Sequence, residues 1–311
     1  DDGDKLSENG PADEAPDPHD VPLTEAEIAQ YHEQGFVVAP AVFDADRVAQ
    51  AHRTIDAITE RAIASGDWTD VLELEPDTEH TQPVARRIYN PFNAHDTFRD
   101  MALDDRVLDR VEQLLGPDIH FHHSKLNMKP ARVGSVVEWH QDLSYFPHTN
   151  DDLLAALIYL DDTTVANGCL QVIPGQHRAY LNHTTSDGAF AGMIPEDLSD
   201  GRHGQPVPCE APAGSVIFMH CLTPHSSLPN TSDRPRRTLI FEFRAADAFP
   251  IFFDPKMTVK NESYACQVRG RPAPTARFGK VPPLIPRFPG MVSSLYDLQQ
   301  RTRKRADMQR T

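Results

Sequence analysis

His140 and Asp142 stand two residues apart in Val137-Glu138-Trp139-His140-Gln141-Asp142. The run leading into them reads as the end of a strand, and a period of two puts both side chains on one face, where an imidazole and a carboxylate can meet one ion. A third donor is offered by His225, which follows another strand-like run in Phe218-Met219-His220-Cys221-Leu222-Thr223-Pro224-His225-Ser226-Ser227. Two imidazoles and a carboxylate form the facial triad that holds non-haem Fe(II) and leaves positions open for a cosubstrate and O2. A surface His beside an Asp gives the same spacing, so the pair alone leaves both readings standing. Arg236 follows in Asp233-Arg234-Pro235-Arg236-Arg237-Thr238-Leu239-Ile240-Phe241, at the mouth of the next strand. A guanidinium there can grip a carboxylate with two parallel hydrogen bonds, as the far end of 2-oxoglutarate requires. The competing reading is that Arg234, Arg236 and Arg237 solvate a turn.

The elements that must position these residues are legible in part. Helices are expected over residues 23–34, with Thr24 as N-cap and Gly35 as a left-handed stop, over 44–64, and over 97–115. From residue 119 onward the pattern changes to short runs bounded by Pro, Gly, Asn and Asp. These are 119–128, 135–139, 153–160, 170–173, 214–220 and 238–245. Successive strands without intervening helices argue for an antiparallel sandwich or barrel rather than a βαβ fold. Residues 1–20 hold eight acids and one Lys and read as a disordered acidic tail. Residues 21–311 read as a single domain, within which 249–311 is an irregular, Pro-rich C-terminal extension ending in a basic helix-like piece.

Composition removes several function classes. The 311 residues carry 46 acidic against 30 basic side chains, a formal charge of −16, which leaves no cationic excess for nucleic acid. The longest apolar run, residues 153–160, is eight long, whereas a membrane span needs roughly 20. No membrane partner is therefore expected, and the acidic first residues do not look like a signal peptide. Four scattered cysteines, Cys169, Cys209, Cys221 and Cys266, suggest neither a disulfide framework nor a thiolate zinc site and fit reduced thiols in the cytoplasm.

Three stretches together resemble the phytanoyl-CoA dioxygenase family of Fe(II)- and 2-oxoglutarate-dependent oxygenases. They are His140-Gln141-Asp142-Leu143-Ser144-Tyr145-Phe146-Pro147, Asn167-Gly168-Cys169-Leu170-Gln171-Val172-Ile173-Pro174-Gly175-Gln176-His177, and the segment from Pro224-His225-Ser226-Ser227 to Arg236. The resemblance spans residues 23–249. It implies a mainly β, double-stranded β-helix (jelly-roll, cupin-like) core with flanking helices, with Fe(II), the cosubstrate 2-oxoglutarate and O2 as cofactors. By that resemblance His140, Asp142 and His225 are the iron ligands and Arg236 anchors the cosubstrate. Lys125 and Asn127, in His123-Ser124-Lys125-Leu126-Asn127-Met128-Lys129-Pro130, fall where the family places further cosubstrate contacts. Thr238 adds a hydroxyl two residues past Arg236. Where the family commonly has Gly after the last His, this chain has Ser226.

Tyr145, Phe146 and His148 follow the His-x-Asp pair and are candidates for lining the substrate pocket. The expected activity is hydroxylation of an unactivated C–H bond of a small metabolite with release of succinate and CO2. A carboxylate at Asp142 argues against halogenation, because related halogenases carry a small residue there. The alternatives are an acyl-CoA 2-hydroxylase, for which Arg269, Arg271, Arg277 and Lys280 would supply cations, a non-catalytic jelly-roll binding protein, and a zinc hydrolase using the same triad. His120, His122 and His123 are a further cluster that could hold a second metal.

Overall fold

A computed structural model of the protein describes residue 17 and residues 19–76, 82–251, 255–287, 290 and 294–310. Most of the acidic stretch 1–20 lies outside the described residues. The chain enters the fold through a capped helix. Thr24 Oγ1 accepts from Glu27 N and the Glu27 carboxylate accepts from Thr24 N, so two orphan donors of α1 (Glu25–Gln34) are satisfied reciprocally. Gly35, at φ 85°, ends it and turns the chain into β1 (Phe36–Ala39). Asp44 caps α2 (Ala45–Ser65) by accepting from Arg47 N. Two strands then precede the main sheet, β2 (Leu72–Leu74) and β3 (Ala85–Tyr89).

The helix expected over 97–115 is two helices. After the one-turn α3 (Pro91–Ala94), α4 (Asp96–Ala102) stops and α5 (Asp105–Leu115) restarts, because Asp104 takes an extended conformation and its carboxylate accepts from Arg106 N.

The strands that follow are β4 (Ile119–Lys129), β5 (Val137–His140), β6 (Leu153–Tyr159), β7 (Leu170–Val172), β8 (Val207–Pro208), β9 (Val216–His220), β10 (His225–Ser227) and β11 (Arg236–Ala245). They build two antiparallel sheets. The larger runs β1-β9-β6-β11-β4-β3-β2 and the smaller β5-β10-β7-β8. Period two assigns the faces. Leu154, Ala156 and Ile158 of β6, Phe218 of β9 and Leu239, Phe241 and Phe243 of β11 pack under α2, α4 and α5. The intervening Leu157 and Tyr159, Met219 and Ile240 face Leu170 and Val172 of the smaller sheet. The apolar run at 153–160 is thus a central strand buried on both sides. This is the double-stranded β-helix with helices packed outside.

The segment 249–311, expected to be irregular except for a helix-like piece at its end, has regular structure before that piece too. It contains α6 (Pro255–Glu262), β12 (Cys266–Arg269), which adds to β4, and α7 (Leu295–Arg310). Among the described residues no helix is long and apolar enough to cross a membrane.

Candidate active site

The smaller sheet sets the site. β5 and β10 pair antiparallel so that His140 and His225 are direct partners, and their ring centroids lie 4.1 Å apart. His225 opens its own short strand immediately after Pro224; it does not trail β9 as the sequence suggested. Asp142 keeps the alternation of the strand. β5 ends at His140, Gln141 stays extended at φ −117° and ψ 132°, and Asp142 then begins a single 3-10 turn, Asp142–Ser144. Gln141 is fully buried and held on several sides. Its amide donates to Ala179 O and Leu222 O, its Oε1 accepts from Leu181 N, and its backbone N donates to His183 Nε2.

The result is convergence. Asp142 Oδ1 lies 3.7 Å from both His140 Nε2 and His225 Nε2, and the three ligand atoms fall within 4.8 Å of one another. Among the described residues no other such group of three is found, so His120, His122 and His123 do not form one. His140 Nδ1 lies 2.7 Å from Glu138 O and His225 Nδ1 2.9 Å from Thr223 O. A carbonyl only accepts, so each Nδ1 carries the proton and each Nε2 presents a bare lone pair toward Asp142. Burial, then the neighbouring His140, pushes His225 down to about 3, and burial lowers His140 as well. Burial would raise the Asp142 carboxyl, but Lys125, His225 and His140 around it hold it well below the usual carboxylate range. Two neutral imidazoles and one ionised carboxylate, all buried, suit a first-row divalent ion such as Fe(II).

One cavity joins these groups to Lys125, Asn127, Arg236 and Thr238. Arg236 is buried, and its hydrogen bonds go to neutral groups: Nε and Nη2 donate to Gly168 O, and Nη1 to Thr238 Oγ1. Gly168 sits at φ 80°, and a Cβ there would strike Leu228 O, so only glycine brings this carbonyl under the guanidinium. Asn127 Oδ1 accepts from Arg87 Nε. Lys125 is less free than its position suggested: its ammonium pairs with Glu242 at 2.9 Å and lies 3.7 Å from Asp142 Oδ1.

A second cation beside Arg236 escaped the sequence reading. Lys129 pairs in register with Arg236 across β4 and β11, is almost wholly buried, and donates to the carbonyls of Ser135 and Leu228. Burial, then Arg236, pushes its ammonium down to about 6. Two steps of two from Lys125 along β4 would have found it.

Of the proposed pocket residues, Phe146 lines a small apolar cavity against Asp142 with Leu143, Leu153 and Ala155. Tyr145 packs its ring edge-on to His140 and donates its hydroxyl to Gly192 O. His148 is not brought into the cavity; its nitrogens are taken by Phe146 O and by the Arg244 guanidinium. Glu242 also went unnoticed, although alternation from Arg236 places it on the same face. Burial raises its carboxyl to about 7 against the pull of Lys125.

Comparison with known proteins agrees with this geometry. Residues 31–238 match the phytanoyl-CoA dioxygenase (PhyH) family. A probable alpha-ketoglutarate-dependent hypophosphite dioxygenase of Stutzerimonas stutzeri is 32% identical over 228 residues, covering 71% of this chain and 79% of that protein. An ectoine dioxygenase of Sphingopyxis alaskensis is 29% identical over 248 residues, covering 73% and 78%. The crystal structure of EctD from S. alaskensis with 2-oxoglutarate and 5-hydroxyectoine superposes with a TM-score of 0.58 at 25% identity, covering 72% of this chain and 77% of that one. Sequence, fold and converged donor set agree that the chain belongs to the phytanoyl-CoA dioxygenase family and is a 2-oxoglutarate-dependent dioxygenase that uses Fe(II) and O2.

Proposed function

We propose that the protein hydroxylates an unactivated C–H bond of a small metabolite, with His140, Asp142 and His225 holding the iron. Arg236, with Lys129, Asn127 and Thr238, holds the far carboxylate of 2-oxoglutarate. One observation carries this reading: a buried guanidinium without a carboxylate partner among the described residues shares a cavity with three converged ligand atoms. A buried charge is costly unless it is paired, so the Arg236 site is built for an anion from outside the chain.

Iron with 2-oxoglutarate and O2 supplies the oxidation, with succinate and CO2 as coproducts. The chain's own groups do the rest. His140 and His225 keep their Nδ1 protons on backbone carbonyls, which fixes the ring planes and keeps Nε2 available. Asp142 stays ionised and occupies a ligand position, which favours oxygen transfer over halide transfer. Leu143, Phe146, Leu153 and Ala155 exclude water from the space against Asp142. Arg236 fixes the orientation of the keto acid from its far end.

The acyl-CoA alternative loses two of its four cations. Arg269 is engaged by Asp105, Asp109 and Glu112, and Arg277 by Asp152 and Asp247, so neither is free for CoA phosphates. A zinc hydrolase has no task for Arg236, and a binding protein would release no succinate. A second reading of substrate is a small phosphorus oxyanion with an oxidisable P–H bond, for which Lys125, although paired with Glu242, is a cation 3.7 Å from Asp142. The Stutzerimonas relative is named for such a compound.

Anaerobic Fe(II) with 2-oxoglutarate should give a weak visible charge-transfer band. Arg236→Ala should weaken 2-oxoglutarate binding by roughly 10- to 100-fold, the loss of a charge-assisted bidentate pair. A wild type without the band, or Arg236→Ala with an unchanged titration, overturns the reading. Succinate release screened with small metabolites, hypophosphite and an acyl-CoA then separates the substrate classes.

A further inference from the structure

We propose that the C-terminal helix α7, which lies outside the family match, is a positioning element for the iron-binding strand and acts through Glu138. The inference rests on the reading of His140 as a metal ligand. β5 is the outer strand of the smaller sheet, hydrogen-bonded to β10 on one side. An outer strand leaves amide groups without sheet partners, and its position is only as firm as whatever covers it.

α7 covers it at one residue. Gln299, 3% exposed, accepts from Glu138 N at 3.1 Å through Oε1 and donates to Gly192 O at 2.8 Å through Nε2. Arg303, one turn further along the helix, ion-pairs with the Glu138 carboxylate. The helix therefore grips Glu138 by its peptide and by its side chain. The carbonyl of the same residue accepts from His140 Nδ1 and so sets the tautomer and plane of that imidazole. Gly192 O, the other partner of Gln299, also receives the Tyr145 hydroxyl, and Tyr145 packs edge-on to the His140 ring. Two routes from one glutamine meet on one histidine.

The first turn of α7 reaches the cavity through other residues. The Tyr296 ring lies 4.1 Å from the Arg86 guanidinium and 5.3 Å from that of Arg87, and Arg87 Nε donates to Asn127 Oδ1. Leu295 lines the cavity itself. Among the side chains described in α7, Tyr296 and Leu298 are the large apolar ones that are buried, so its seat depends on the specific polar contacts at Gln299, Thr302 and Arg303.

This separation makes the proposal testable in the full-length protein with Fe(II) and 2-oxoglutarate as probes. Gln299→Met keeps the side-chain length and removes both hydrogen bonds. It should weaken Fe(II) binding by about tenfold or more, the cost of losing an outer-shell partner, while 2-oxoglutarate affinity at saturating iron changes by less than about twofold. Tyr296→Leu should do the reverse. Arg303→Met, at a half-exposed site, tests the same route should Gln299→Met fail to fold, and should weaken iron binding in the same direction. A purely structural role would lower the thermal midpoint and shift both affinities together in every variant, and that result overturns the proposal. A wild type that binds iron, with variants that bind it equally well, also overturns it. A wild type that binds no iron overturns the assignment of His140 as a ligand, and the proposal with it.

Discussion

At the residue scale, the proposed cosubstrate site should be sensitive to pH through Lys129, the in-register partner of Arg236. Burial and Arg236 push its ammonium down to about 6 against the pull of Glu75, and its hydrogen bonds go to the carbonyls of Ser135 and Leu228. An arriving carboxylate favours the protonated form, so above about pH 6 binding of 2-oxoglutarate must take up a proton. Its affinity should then fall as pH rises, by up to about tenfold per unit. Calorimetry of anaerobic Fe(II)-protein in buffers of different ionisation enthalpy reads that uptake directly; it should vanish in Lys129→Met. No uptake by the wild type near pH 8 would remove Lys129 from the site. The same strand shows what sequence could tell. Alternation put Lys125 and Asn127 on one face and stopped short of Lys129; the packed fold adds that Lys125 is engaged by Glu242 and Asp142 while Lys129 donates to two backbone carbonyls.

At the element scale, the apolar runs were readable, down to the three-residue β7 within 170–173, and several short polar or charged ones were not. β4, β6, β9 and β11 carry alternating or continuous apolar residues and fall within a residue or two of expectation. β10 has three residues, and β3 contains Arg86 and Arg87, which look like surface charges until Glu73 and Tyr296 are seen against them. The break between α4 and α5 was written in Leu103-Asp104-Asp105 as a new N-cap inside what reads as one amphipathic stretch. Asp104→Ala removes that cap and the carboxylate partner of Arg106, and should cost about 1 kcal/mol in urea unfolding with iron binding unchanged. A cost near zero would mean that packing of Val107, Leu108 and Val111 holds α5 without the cap. β4 also carries an irregularity: opposite Glu242 and Phe243 its register slips at His122, so His122 is the extra residue. Residues on either side of a bulge share a face, and both His122 and His123 accordingly pack on Phe146. No sequence pattern announces that slip.

At the scale of the whole molecule, two opposing fields act on 2-oxoglutarate. The formal charge of −16 repels a dianion at long range, and the buried cations attract it only once it has entered. Salt screens the first far more than the second, so the association rate should rise as ionic strength goes from about 0.01 to about 0.15 M. Stopped-flow growth of the charge-transfer band measures it; a rate that falls with salt would show that the mouth of the cavity, not the net charge, governs approach.

The match to the family stops at residue 238, inside β11, which continues to Ala245. That limit cuts a single continuous ribbon: Arg236 and Thr238 lie on one side of it, and Ile240 and Glu242, on the same interior face, lie on the other. A chimera joined at the edge of the recognisable homology would therefore splice two unrelated halves of one cavity wall. Exchanges with a relative should carry β11 whole, and with it the returning tail that braces β5.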